Sequence, residues 1–599
     1  MKALYHKIRT LAGKNYGLYK SLAEKSWDFG DFSLEFLHVQ GDPFAPASRV
    51  MIKANLQILG YPSEWGVSFE RRLALSDFLH RRMSRVVKER YPDKDGAVVF
   101  EGVGPEMLVR NSLWIDNGEL RAVLQVRLPG EGRKIQAEAA SEILTMVLPD
   151  LVSASLYNEG GCIGGNRREE GVVPELEAHH RVLADRSAVL LELEKQGLCA
   201  FVPDGAVLPR ASGISQEPME GAIPFESPAQ MAVTLEVNGR KVRGMGIPKG
   251  ITVITGGAFH GKSTLLQALT AAVYPHVPGD GREGIVIDET AMRVGVEDGR
   301  SVRGTDLSMF VRDLPGGVST RCFTTAGASG STSQAANLLE AMEAGVKTFL
   351  VDEDSSAVNF LIRDGRVRKL LGDEREPLIP LTDRIREICY GLQEASKGRC
   401  SAICESERSV VSSGKRAERS FILVAGACGD YLDIADNIII MANYKAECAR
   451  YGANAELGVA HLPMLEVPAC RNLADYIQPL ASGLRPTSAV ERQVKVKLNG
   501  DTLLQMGFLV SDTSRLVTLF DKQQRLGAGF MLLNLCQNVV SNGNDMATET
   551  IMEAVTALCD KIRNVGFRNL PQGMSREMSL PRPVDIACVL FRLRESSRG

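Results

Sequence analysis

Apolar positions along the chain follow two rhythms. Over residues 69–90 they recur at helical spacing, with Leu75, Phe78, Leu79 and Val86 on one side of a charged stretch, which predicts an amphipathic helix. From residue 229 to 465 they come instead as short β-rich runs: ITVIT at 251–255, GIVID at 284–288, KTFLV at 347–351 and FILVA at 421–425. Strands alternating with helix-forming stretches predict an α/β nucleotide-binding core.

Residues 201–228 are punctuated by Pro203, Pro209, Gly213, Pro218, Gly221, Pro224 and Pro228, the composition of a connection between domains. Beyond Cys470 the pattern changes to VKVKLNG at 494–500 and then to helical stretches such as GAGFMLLNLCQNVVS. The expected organisation is a mixed α/β N-terminal domain at 1–200, a linker at 201–228, the nucleotide-binding domain at 229–465 and a smaller α+β domain at 466–599.

A length of 599 residues exceeds what one core ordinarily serves. With 44% hydrophobic and 24% charged residues the composition is that of a folded protein, and 70 basic against 73 acidic residues announce no nucleic-acid or membrane partner through net charge. Twelve cysteines show neither disulfide density nor paired zinc spacing, so Cys400 and Cys404 are read as core residues of a reducing compartment. The sequence offers no uninterrupted apolar run of bilayer-crossing length, so no membrane is expected as partner. The acid-free start up to Glu24 is read as the beginning of the fold rather than an organelle presequence.

The strand ITVIT leads into GGAFHGKST and then into a helical pattern, the context that gives a GxxxxGK[ST] string its meaning. Gly256, Gly257, Ala258, His260 and Gly261, with Lys262, Ser263 and Thr264 at the helix start, are the expected ATP contacts. Backbone amides wrap the phosphates, Lys262 reaches the β and γ phosphates, and the Ser263 hydroxyl holds Mg²⁺. Ninety residues on, KTFLV ends in Asp352, Glu353 and Asp354. Asp352 is assigned to the metal, and Glu353 to the base that takes a proton from the attacking water. Between these motifs, ASGSTSQAANLLEAMEAG at 328–345 reads as a capped helix whose N-terminus could hold a phosphate.

Ser329 precedes Asp352 by 23 residues, as a signature helix precedes the Walker B strand in ABC-type ATPases. The chain resembles the family of predicted ATPases of the ABC class. The resemblance rests on GMGIPKG at 244–250, the HGKST form of the P-loop, VYPHVPGDGRE at 273–283, the ASGSTSQAAN segment and DEDSSAVNF after the Walker B strand. VQGDPFAPASR, LPRASG, GDYLDIAD and the terminal PRPVDIACVLFRLR extend it over nearly the whole chain. It implies an ABC-type ATPase core that works as a homodimer, with Ser329, Gly330, Ser331, Ser333 and Gln334 of one subunit facing nucleotide held by the other. It also implies that Asp354 and Ser356 form the loop that signals across the interface.

Two features depart from the general ABC pattern. No switch histidine follows FILVA, and the lid lacks a glutamine, leaving Glu297 and Asp298 as water or metal contacts. Slow turnover is expected. Phe225 and Tyr274 are the candidates for stacking on adenine.

The helix over 69–90 carries Arg71, Arg72, Arg81, Arg82, Arg85 and Lys88, enough charge to meet several phosphates. GGCIGGNRR, ending at Arg168, and RDGRVRK at 363–369 are further basic stretches. The resemblance is strongest to a mitochondrial branch associated with RNA editing in trypanosomes. It implies RNA and an RNA-processing complex as partners and the mitochondrial matrix as location; without that branch the expected location is cytoplasmic. The rival readings are a P-loop phosphotransferase acting on a small molecule and an RNA-binding scaffold in which ATP is scarcely hydrolysed.

Overall fold

The computed structural model describes the chain except for residues 93–95, 159–172, 313, 315–316, 373–374, 392–416, 427, 450–467, 488–492, 543–547, 571–575 and 597–599. Arg168, Cys400 and Cys404 lie outside the described residues. The chain folds into two compact units, residues 1–184 with 557–580 and residues 185–556 with 581–599.

This division differs from the four consecutive segments expected. The stretch after residue 466 contributes to both units, because Met578 and Asn111 exchange hydrogen bonds and Arg568 pairs with Asp116 in the first unit. Residues 201–228 lie wholly within the second unit. There Arg210 pairs with Asp280 at 2.7 Å and the Leu208 carbonyl accepts from Arg282, so this stretch is packed rather than crossing between domains.

The first unit contains β1 (Phe32–His38), β2 (Ser48–Asn55), α1 (Phe69–Arg90), β3 (Leu113–Asp116), β4 (Glu119–Val126) and α2 (Leu148–Leu156). β1, β2 and β4 form an antiparallel sheet, with β3 also paired on β4 and two-residue strands at Trp27–Asp28 and Val98–Val99. α1 starts where Ser68 accepts from the Arg71 N–H, an N-cap. It buries Leu73, Leu75, Leu79, Met83 and Val87, facing α2 and β3; Phe78 and Val86 are half-buried.

α2 ends a helical run, Ala137–Leu156, that is by length and composition apolar enough to cross a membrane. The run carries Glu138, Glu142 and Asp150 and buries Leu144, Leu148, Leu151 and Leu156, as a core helix does. Pro149 has no N–H to give, and the turn before it loosens into a π-helix over Ile143–Val147.

The second unit opens with β5 (Leu198–Pro203), β6 (Ala232–Val237) and β7 (Arg240–Pro248), an antiparallel sheet that also takes in Val286–Ile287. GIVID therefore belongs to this sheet and not to the nucleotide-binding one. The latter comprises β8 (Ile251–Gly256), β9 (Met292–Arg293), β10 (Thr348–Asp352), β11 (Ser420–Val424), β12 (Asn437–Ala442) and β13 (Lys445–Ala449) in the order β9-β10-β11-β8-β12-β13. All pairings are parallel except β12 with β13. β10 and β11 are buried throughout, which is why they read as uninterrupted apolar runs.

α3 (Lys262–Ala271) follows β8 and α4 (Gly330–Glu343) precedes β10. The tail adds β14 (Val496–Asn499), β15 (Leu503–Met506) and β16 (Leu509–Asp512), with α5 (Lys522–Asn542) against them and α6 (Pro583–Phe591) buried along its length.

One core group of the first unit makes its stability pH-dependent. His80, on α1, is fully buried, and burial together with the nearby Arg110 guanidinium pushes its imidazole down to about 3. The unfolded chain takes up this proton near pH ~6.5, whereas the folded unit refuses it until far lower pH. The stabilisation is therefore complete above that value and is lost as pH falls. The unfolding free energy from urea titrations should fall between pH 6.5 and 4, by about 3 kcal/mol from this residue, and His80→Leu should flatten that part of the profile.

Candidate functional site

β8 runs into the loop at 256–261 by way of a glycine that nothing else could replace. Gly256 sits at φ 138°, and a Cβ there would lie 2.2 Å from the Met441 carbonyl oxygen of β12. Gly261, at φ 97°, is the N-cap of α3 and offers no side chain to the first-turn amides. Those amides, with the helix dipole, are what a phosphate would meet. The Lys262 ammonium donates to the Gly256 and Gly257 carbonyls at 2.7 and 2.8 Å, which holds it inside the loop. Gly257, Ala258 and Ser263 are exposed, and His260, Lys262 and Thr264 half-exposed. His260 accepts through Nδ1 from the Asn443 N–H at 3.3 Å, fastening the loop to the β12–β13 turn.

Asp352 closes β10. Its register partner is Val424 of β11, which in turn pairs with Ile254 of β8. Two strand spacings put it about 10 Å from β8, room for a phosphate and its ion. Its Oδ2 accepts from Arg293 of β9 at 2.8 Å, and Oδ1 from the Asp354 N–H at 3.3 Å. Glu353 Oε2 accepts from the Gly426 N–H at 2.7 Å, just beyond β11. A Cβ on Gly426 would stand 4.0 Å from the Lys262 Nζ, so P-loop lysine, post-β11 turn and Glu353 converge. The loop after β11, where the switch histidine is missing, thus supplies a main-chain donor to the proposed base. Ser263 and Asp352 offer hard oxygens of the kind Mg²⁺ takes, and this donor set fits that ion.

The 329–334 segment divides in two. Ser329, the N-cap of α4, is exposed and shares a hydrogen bond with Thr332 at 3.0 Å; Gly330 and Ser331 are half-exposed, and Ser331 donates to Asn359 at 2.7 Å. Ser333 and Gln334 are fully buried, so neither faces outward as expected. The Ser333 hydroxyl donates to the Gly330 carbonyl and accepts from the Glu297 N–H. The Gln334 amide donates to Ser356 Oγ at 2.9 Å and accepts from the Ala357 N–H at 2.7 Å, and Ser356 donates to the Asp352 carbonyl. Asp354 is exposed. Among the described residues no hydrogen bond joins 329–334 to the P-loop at 256–264.

Residues 1–159 match the family described as ATPase of the ABC class, N-terminal, and residues 173–396 match its P-loop domain. Together they take in well over half of the chain. This chain belongs to the ABC-class ATPases. An uncharacterized protein of Methanocaldococcus jannaschii is 38% identical over 149 residues, 24% of this chain and 33% of the relative. The match thus spans about a third of that curated relative's length. A solved metal-chelate type ABC transporter in an inward-facing conformation shares 11% identity, with a TM-score of 0.24, over 42% of this chain and 83% of its own, too weak a likeness to bear on the site.

Several expected contacts of this ABC-class ATPase are engaged elsewhere. Glu297 is buried, and its carboxylate accepts from Arg592, just past α6, at 2.8 to 3.2 Å, so it is no lid contact; Asp298 beside it is exposed. Phe225 and Tyr274 are buried, and the Tyr274 hydroxyl bonds Asp585, which leaves no ring face for adenine. On α1, Arg71 pairs with Glu64, Arg72 donates to the Val67 carbonyl, Arg81 pairs with Asp77 and Arg82 donates to the Tyr157 carbonyl. Arg85 and Lys88 are the residues of that set left exposed. In the stretch 363–369, Arg368 pairs with Asp383 at 2.6 Å.

Arg293, Gly426 and Arg592 escaped the sequence reading. Arg293 sits on a two-residue strand, Gly426 acts through its backbone, and Arg592 lies 295 residues from its partner, so no local pattern marks them. Arg592→Met would leave the Glu297 carboxylate buried and unpaired. Chemical unfolding should show a loss of about 3–5 kcal/mol, most of it recovered when Glu297→Met is added.

Proposed function

We propose that two copies of this chain close around two ATP molecules and hydrolyse them, each copy's α4 N-terminus completing the site on the other. The observation that carries the reading is the placement of Glu353. Its carboxylate is held by the Gly426 amide beside Lys262, on the flank of the P-loop where a γ-phosphate would end. Support for the pairing comes from Ser329, Gly330 and Ser331, which stay solvent-accessible and have no bond to their own P-loop.

In this mechanism the loop amides and Lys262 neutralise phosphate charge, and Glu353 orients the attacking water and accepts its proton. Ser263 and Asp352 would hold Mg²⁺, whose chemistry is to stabilise charge on the transferred phosphoryl group. The backbone donor at Gly426 fixes one carboxylate oxygen of Glu353 and so orients the group.

Glu353→Gln should retain ATP affinity within a few-fold while phosphate release falls by about 10²-fold or more, and sedimentation with ATP should show an accumulated dimer. Lys262→Ala should abolish both binding and dimer. Unchanged phosphate release in Glu353→Gln would remove it as the base.

A second reading concerns what closure acts on. We propose RNA, on the strength of the resemblance and of the exposed Arg85 and Lys88 on α1. Filter binding over a salt series should show affinity that falls steeply with salt, and a double Arg85→Glu, Lys88→Glu variant should bind less tightly with a shallower slope. Absence of binding at low salt rules RNA out.

A further inference from the structure

A nucleotide is a chain with two ends, and the sheet order constrains where each can lie. Glu353 and Asp352 stand on the β10–β11 side of the P-loop strand β8, so a triphosphate lying across the loop turns its terminal phosphate to that side. Its nucleoside end then projects to the opposite flank, over β12 and β13. The inference rests on the ATP-binding reading above and concerns the one contact that reading leaves open.

On that flank the turn between β12 and β13 consists of Asn443 and Tyr444. It abuts the phosphate loop directly. The Asn443 N–H donates to His260 Nδ1, and the Tyr444 ring lies 3.4 Å from where a Gly261 Cβ would stand. Tyr444 is 58% exposed, so its ring is open beside the start of α3. Its backbone is at φ 65°, next to Asn443 at φ 49°. A two-residue hairpin of this geometry favours Asn followed by Gly; a tyrosine at the second position is strained, and such strain collects at ligand clamps.

We infer that Tyr444 is the stacking platform for the nucleobase. Stacking on the ring's π-face accepts any base, so ATP and GTP should bind within a few-fold of each other. Phe259 is also exposed, with φ 64°, but it belongs to the loop segment that wraps phosphate rather than to the far flank.

The test compares ATP with inorganic tripolyphosphate, which has no base, by calorimetry on the full chain. Tyr444→Ala should weaken ATP roughly tenfold to a hundredfold and leave tripolyphosphate within twofold, while Tyr444→Phe should bind ATP as the parent does and Phe259→Ala should shift ATP and tripolyphosphate equally. In Tyr444→Trp, ATP should quench the new indole emission and tripolyphosphate should not. The platform is overturned if Tyr444→Ala binds ATP normally, if it weakens both ligands equally, or if Phe259→Ala carries the base-dependent loss. A parent that binds neither ligand, or a Lys262→Ala variant that binds both normally, overturns the P-loop reading itself and the platform with it, a result distinct from any failure at Tyr444.

Discussion

Gln334 is the residue on which the arrangement of the nucleotide-binding unit turns. From the first full turn of α4 its buried amide uses both ends on the stretch after β10, donating to Ser356 and accepting from Ala357, while Ser356 donates to the Asp352 carbonyl. Each such bond adds only about 1 kcal/mol net, but leaving the buried groups unpaired costs about 1–3 kcal/mol each. The helix that presents Ser329 and the turn that presents Asp352 and Glu353 are therefore one piece. Movement of either carries the other.

The opposite side of α4 is fixed by charge. Arg300 pairs with Glu340 at 2.6 Å and Arg592 with Glu297 at 2.8 Å, and Asn337 accepts from both guanidinium groups. Two buried cations face two buried carboxylates, so the cluster is neutral and well hydrogen-bonded, the condition under which buried ions are tolerated. Arg592, at the C-terminal end of α6, thereby ties that part of the chain to α4, although the two are far apart in sequence. Thr305 adds a further bond to Glu340 at 2.9 Å.

What could be read from the sequence was what local pattern encodes. The P-loop between ITVIT and its helix, the acidic end of KTFLV, the amphipathic span of α1 and the helix after Ser329 all carry their signal within a few residues, and each forms where expected. Burial of Ser333 and Gln334 did not show, because their small and polar character suits an exposed N-terminus as well as an inward anchor; only the fold decides which. The arginines of α1 looked like a phosphate-binding stripe because sequence counts charges and not their partners, and Asp77, Glu64 and the carbonyls of Val67 and Tyr157 take up four of them. The shared use of the C-terminal segment by two units was equally hidden, since it rests on bonds such as those between Asn111 and Met578.

Arg293 gives the pairing at Asp352 a consequence for the order in which the site fills. With its guanidinium 2.8 Å from Oδ2, Asp352 presents little net negative charge to a bare cation. A divalent ion arriving alone would have to displace that partner while keeping its own hydration shell. An ion already chelated by a triphosphate brings its counter-charge with it and needs only a hydrogen-bonded or water-bridged contact. On the ATP-binding reading proposed above, occupancy of this site should then follow the concentration of the metal–nucleotide complex rather than that of the free ion.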